Sequence, residues 1–129
     1  EIAHAVWMEL PSRHPHIDVE LFVIMPNHIH VLLWIRLQAG QADTPREYGK
    51  PIAGSVSVLI NAYKTAVTKR AQNASLPAGK SLWQRNFYDR IVRDERELAH
   101  IKDYIRTNPA RWEADQLHPD APPNAFNNW

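Results

Sequence analysis

The sequence predicts an α+β fold, an antiparallel β-sheet with helices packed on it, and three observations lead there. Two stretches rich in β-forming residues, 17–24 and 28–36, are parted only by Met25-Pro26-Asn27. Strands joined so closely should pair as an antiparallel hairpin. A helical apolar stripe runs through 55–72, and a second helix opens at Asp94 with a cap signal. The predicted order is helix, strand, strand, helix, strand, helix, which lacks the strict strand–helix alternation of a parallel sheet.

The elements follow from local chemistry. Ile2, Val6 and Leu10 recur at four-residue spacing, so residues 2–11 read as a helix ended by Pro11-Ser12. Ile17 to Ile24 reads as the first strand and His28 to Arg36 as the second. Strand alternation puts His28, His30, Leu32, Trp34 and Arg36 on one face. Ile29, Val31, Leu33 and Ile35 take the other, which is purely aliphatic and expected to be buried. Gly40, Pro45, Gly49 and Pro51 mark 38–53 as a mobile loop. From Ser55 to about Gln72, Val56, Leu59, Ile60, Tyr63 and Val67 form a buried stripe, with Lys64, Lys69 and Arg70 toward the polar side. After a loop at 73–80, Leu82 to Val92 alternates as a third strand. Asp94 with Glu97 forms a capping box for a helix running to about Thr107. Pro109 stops it and pushes Asn108 away from helical geometry. From Trp112 the chain holds Pro119, Pro122 and Pro123 among polar residues and is expected to lie extended on the surface or be disordered.

Composition narrows the function classes. At 129 residues the chain fits one domain, with 44% hydrophobic content for a core. There is no cysteine, which excludes disulfides and thiolate metal sites and fits a reducing compartment. No apolar run has the length of a membrane span, and the start shows no signal peptide. Without an initiator Met, the chain is expected to be a fragment. The net charge of +1 is unevenly spread: from Lys64 to Arg111 there are 11 Lys/Arg against 5 Asp/Glu, while 1–63 carry 4 against 6. A basic half suits a polyanionic partner, or is simply a solvated helix surface.

Three constellations can carry chemistry. His28 and His30, at i and i+2 on a strand, lie close enough to share one metal ion. The plain alternative is two unrelated surface histidines. Tyr104 and Asn108 share a helix face. Tyr104 is either a nucleophile or a half-buried residue at the edge of the Leu98, Ile101 and Ile105 stripe, and Asn108 either works with it or caps the helix. Trp83-Gln84-Arg85-Asn86-Phe87-Tyr88 interleaves aromatics with Arg, which suits stacking on bases and contact with phosphates, or strand packing. Tyr88 is a second candidate nucleophile.

In this order the pieces resemble a known family. Met-Pro-Asn-His-Ile-His-Val at 25–31, the helix around Tyr63 to Arg70, Leu82 to Asp89, Ile91 to Glu95, and Asp-Tyr-Ile-Arg-Thr-Asn-Pro at 103–109 resemble the IS200-like single-tyrosine transposases of the HUH endonuclease superfamily. Within them the chain looks most like the REP-associated tyrosine transposases, over roughly residues 5–115. The resemblance implies an HUH/ferredoxin-like sheet and a transposase domain over 1–115, with 116–129 as an extended tail. It implies that His28, His30 and Asn108 hold a divalent metal, Mg²⁺ or Mn²⁺, and that Tyr104 is the catalytic nucleophile, with Tyr88 outside that position. The imidazole and amide set favours Mn²⁺ of the two. The implied reaction is cleavage and strand transfer of single-stranded DNA through a 5′-phosphotyrosine, in DNA transposition, recombination or REP-element processing. The implied partner is single-stranded DNA with hairpin structure, contacted by Lys64, Lys69, Arg70, Trp83, Arg85, Arg90 and Arg93. The expected location is cytoplasmic, at the nucleoid.

The chain departs from the family at its start. Family members usually begin with a further strand that lies beside the histidine strand, and it is missing here. The histidine strand is then left with an exposed edge, which invites pairing with a second copy and a homodimer. Two other function classes stand beside the enzyme. One is a non-catalytic module binding structured single-stranded DNA or RNA, showing salt-sensitive binding without cleavage. The other is a metal-dependent hydrolase that keeps turnover without Tyr104.

Overall fold

The computed structural model describes residues 1–36, 54–74 and 82–122. The loop expected at 38–53, most of that expected at 73–80 and the last residues, 123–129, lie outside the described residues. The element order is α1 (Ile2–Arg13), β1 (Ile17–Ile24), β2 (Ile29–Ile35), α2 (Val56–Asn73), α3 (Glu95–Thr107) and a 3₁₀ stretch, Asn108–Ala114. The fold class is α+β: among the described residues, three α-helices and a two-stranded antiparallel sheet. The chain divides into two compact units, Glu1–Asp18 with Trp34–Arg90, and Val19–Leu33 with Ile91–Trp129.

The first unit is built on a helix pair. Val6, Trp7 and Leu10 of α1 and Leu59, Tyr63 and Val67 of α2 are buried. The Trp7 and Tyr63 rings stack at 4.2 Å, and the Tyr63 hydroxyl donates to the Ala3 carbonyl at 3.2 Å. Burial pushes the Tyr63 phenol up to about 12. Trp7, Ile17 and Leu59 have the largest fully buried side chains, each stabilising by roughly 1.5–3 kcal/mol. Ser55 caps α2 by accepting from the Val58 N–H at 3.4 Å. Just before it, Gly54 has φ +77°, which favours glycine, and a Cβ there would push the His16 ring, whose Nε2 is 2.9 Å away, aside.

The second unit carries the hairpin tip and α3. At the tip the Met25 N–H donates to the His28 carbonyl at 2.9 Å, closing the Pro26-Asn27 turn. Asp94 caps α3, accepting from the Glu97 N–H at 2.8 Å, and Glu97 accepts in return from the Arg93 N–H at 2.9 Å. Lys102 of α3 pairs with Glu20 of β1. Met25, Leu32 and Ile105 are buried.

Five expectations are corrected. Leu82 to Val92 is not a strand. Its alternation is not matched by burial, with Tyr88 77% and Ile91 82% exposed, and among the described residues no strand pairs with it. A strand without a neighbour to accept its backbone hydrogen bonds is not a stable element. Pro11 does not end α1 but lies in its last turn. Asn108 keeps right-handed helical geometry (φ −56°, ψ −44°), with its N–H on the Tyr104 carbonyl, because the chain continues into the 3₁₀ stretch. The aliphatic face of β2 is not the buried one: Leu32, on the histidine face, is its buried residue, while Ile35 is 37% exposed. From Trp112 to Pro122 the chain is not extended. Backbone bonds from Asp115 to Trp112, His118 to Asp115 and Ala121 to His118 wind it into turns. The described sheet has only β1 and β2, so among the described residues the outer edge of β2 has no strand beside it.

Candidate metal centre

The site lies within the second unit. The Pro26-Asn27 turn delivers His28 to the start of β2, and strand alternation brings His30 to the same face. The two Nε2 atoms face each other at 3.0 Å. Helix α3 supplies the other side. Tyr104 and Asn108 are one turn apart, and the Tyr104 ring meets the His30 ring edge-on at 5.4 Å. Asn108 is 3% exposed, and its Nδ2 lies 3.0 Å from His30 Nε2. The turn after the 3₁₀ stretch adds Asp115, whose Oδ2 is 3.8 Å from His28 Nε2. Trp112 packs its ring 5.9 Å from that of His28.

Proton bookkeeping makes this cluster unusual. His28 Nδ1 lies 2.7 Å from Asn27 Oδ1, an acceptor, so the neutral ring carries its proton on Nδ1. Its Nε2 is then a lone pair. His30 Nε2 receives the Asn108 amide N–H and is a lone pair too. With those tautomers no proton lies between the two Nε2 atoms. Asn108 Oδ1 and Asp115 Oδ2 are also buried and lack hydrogen-bond partners. An orphaned buried acceptor costs about 1–3 kcal/mol, and three ligand atoms, of His28, His30 and Asp115, converge here.

Such a set could hold a cation. The ligand atoms of His28, His30 and Asp115 all lie within 4.8 Å of one another, a cluster able to hold a metal ion. Half a turn of the Asn108 amide would exchange its Nδ2 for Oδ1 and point a further oxygen inward. Burial lowers the pKa of both histidines; at His30 the neighbouring His28 adds to this, and Asp115 opposes it at both. The rings therefore stay neutral, as metal ligands must be. Burial raises the Tyr104 pKa, Asp115 adds to this, and a hydrogen bond from Asn108 works against it.

Of the residues expected to meet DNA, most lie in the first unit. Lys64 donates to the Gln84 carbonyl at 2.9 Å and stands 5.9 Å from the Trp83 ring. Arg70 is bound through both terminal nitrogens to Glu9. Trp83 donates to Thr68 Oγ1 at 3.0 Å and packs edge-on against Tyr63. Lys69, Arg85 and Arg90 are exposed on the same unit, and Arg93 is exposed on the other. Tyr88 also belongs to the first unit, whereas Tyr104 lies beside the histidines. The sequence reading missed Asp115, Trp112 and the anchoring role of Asn27. The first two fall in what was read as an unstructured end, where no periodicity marks a contact.

Comparison with known proteins gives distant relatives. A Haemophilus influenzae protein named only "Uncharacterized protein" is 34% identical over 121 residues, covering 88% of this chain and 66% of that protein. A second protein of the same organism, named "Putative REP-associated tyrosine transposase", is 24% identical over 114 residues, covering 88% of this chain and 61% of that protein. The chain thus spans between three fifths and two thirds of the curated relatives it matches. No family model matches the chain, and neither does a solved structure. No helix among the described residues is long and apolar enough to cross a membrane.

Proposed function

We propose that this chain carries the catalytic centre of an IS200-like, REP-associated tyrosine transposase, cutting and rejoining single-stranded DNA through Tyr104. The observation that carries this reading is the convergence of Tyr104 and Asn108 on the His28–His30 pair. The distant likeness to a protein bearing that family's name supports it.

In this reading His28, His30 and Asn108 hold a divalent cation, Mn²⁺ or Mg²⁺. Bound there, it supplies positive charge to a phosphodiester oxygen as charge builds in the transition state. The chain's own residues do the rest. The Tyr104 phenol oxygen attacks phosphorus and loses its proton. The bond from phosphorus to the 3′ oxygen breaks, and that oxygen leaves as a 3′-hydroxyl. The phosphate remains on Tyr104 as a 5′-phosphotyrosine until another 3′-hydroxyl reverses the step. No nucleotide cofactor is needed, because the covalent link conserves the bond. Asn108, one turn on from Tyr104, lies against His30, as the Tyr104 ring does. Hairpin-bearing DNA would meet Lys69, Arg85, Arg90 and Arg93, with Lys64 and Trp83 joining only on leaving the Gln84 carbonyl and Thr68. Arg70 would first have to leave Glu9. A homodimer formed through the outer edge of β2 is part of the same proposal.

The test is a labelled hairpin oligonucleotide incubated with the protein and Mn²⁺, then run under denaturing conditions. A protein–DNA adduct that Tyr104→Phe removes is the expected result. Salt-sensitive binding with no adduct, indifferent to chelator and to His28→Ala, would replace the enzyme with a binding module.

A further inference from the structure

Four contacts around the histidines almost close into a ring. Asn27 uses both ends of its amide: Oδ1 accepts from His28 Nδ1 at 2.7 Å, and Nδ2 donates to the Leu117 carbonyl at 2.7 Å. The Leu117 N–H donates to Asp115 Oδ1 at 2.7 Å. Only the last link is missing. Asp115 Oδ2 stands 3.8 Å from His28 Nε2, too far for a hydrogen bond. The Asp115 side chain is 3% exposed, and Oδ2 has no hydrogen-bond partner. With the His28 proton on Nδ1, held by Asn27 Oδ1, Nε2 turns an electron pair toward the carboxylate oxygen. A cation is what completes the ring.

We propose that Asp115 is a ligand of the cation held by His28 and His30, and that Asn27 is a positioning residue that ties cation binding to the folding of residues 115–121. This rests on reading the histidine pair as a metal site. The chemistry favours a mixed nitrogen–oxygen ion such as Mn²⁺ over Mg²⁺, because two imidazoles are poor ligands for the harder ion. Asp115 brings one negative charge to a set otherwise neutral, and so raises affinity for a dication. Asn27 touches no ion. It fixes the His28 tautomer so that Nε2 points its lone pair inward, and it holds the Leu117 carbonyl so that Asp115 cannot swing out. A partner of this kind typically changes metal affinity by 10–100-fold. Without the ion, the Asp115 carboxylate is a buried charge facing a lone pair, so the 115–121 turns should open more often.

The experiment measures Mn²⁺ affinity of the full chain by calorimetry and backbone amide exchange with and without Mn²⁺. Asp115→Asn should weaken Mn²⁺ at least tenfold, and Asn27→Ala about 10–100-fold. Asn27→Asp keeps the acceptor for His28 but loses the donor to Leu117. It should recover affinity over Asn27→Ala without restoring protection of 115–121. In the unaltered protein Mn²⁺ should slow exchange at Leu117, a readout that needs no variant to fold. Wild-type Mn²⁺ affinity in Asp115→Asn, or exchange at 115–121 unmoved by Mn²⁺, overturns the proposal. His28→Ala separates the two levels. If it abolishes binding while Asp115→Asn does not, only the Asp115 role fails; if neither weakens binding, the metal reading beneath it fails as well.

Discussion

Two regions were singled out for chemistry, and they treat their polar atoms in opposite ways. In the basic, aromatic region of the first unit, Arg70 lies on Glu9, Trp83 donates to Thr68, and Lys64 donates to the Gln84 carbonyl. These three candidates for a ligand are already occupied by the protein. Around His28 and His30 the reverse holds: two imidazole lone pairs face each other, and Asn108 Oδ1 and Asp115 Oδ2 are buried without partners. Satisfied polar groups hold a structure together, whereas converging unsatisfied ones wait for something from outside. Residue type alone ranks the regions almost equally. Satisfaction separates them.

Substitutions in the two regions should therefore fail differently. The largest effect is expected from Tyr104→Phe, which should remove the DNA adduct altogether while leaving Mn²⁺ affinity unchanged; a residual adduct would move the nucleophile elsewhere. His30→Ala comes next. It should cost Mn²⁺ affinity a hundredfold or more, yet cost the ion-free protein much less stability than Trp7→Ala, since relief of the facing Nε2 atoms offsets the lost Asn108 contact. A large drop in the ion-free melting temperature would make His30 a structural residue like Trp83. Trp7→Ala should do the opposite, destabilising by about 3–5 kcal/mol through loss of a fully buried ring stacked on Tyr63, with the histidine site spared. Denaturant unfolding alongside Mn²⁺ titration reads both quantities.

The smallest effect is in pH. Both histidines have pKa values lowered by burial from the model-compound value of 6.5. The unfolded chain therefore binds these protons at higher pH than the folded one. Stability of the ion-free protein should be unaffected above about pH 7, fall as pH drops through 6.5, and level off below the lowered folded values. His28→Ala combined with His30→Ala should flatten that slope. A slope that persists would assign it to other groups.

Much of the architecture was legible because it is local. The ends of β1, the Ser55 cap of α2, and the Asp94 cap and Thr107 end of α3 follow from β-propensity and capping chemistry within a few residues. The His28–His30 face and the Tyr104–Asn108 face also follow from one period each. What failed was non-local. Residues 82–92 have the alternation of a strand, but a strand exists only with a neighbour, which no local pattern supplies. Leu32 rather than the aliphatic face of β2 became the buried position, because burial depends on what packs against the sheet. Asp115 was illegible for the same reason. Its place beside His28 depends on the turn after Ala114 and on the Asn27–Leu117 hydrogen bond, which spans most of the chain.

The central claim is that chemistry resides where unsatisfied donors converge beside a tyrosine. Peptide mapping by mass spectrometry of the adduct formed with a hairpin oligonucleotide and Mn²⁺ tests it most directly. The account predicts a 5′-linked nucleotide on Tyr104. A nucleotide on Tyr88, in the region whose polar groups are already satisfied, would contradict it.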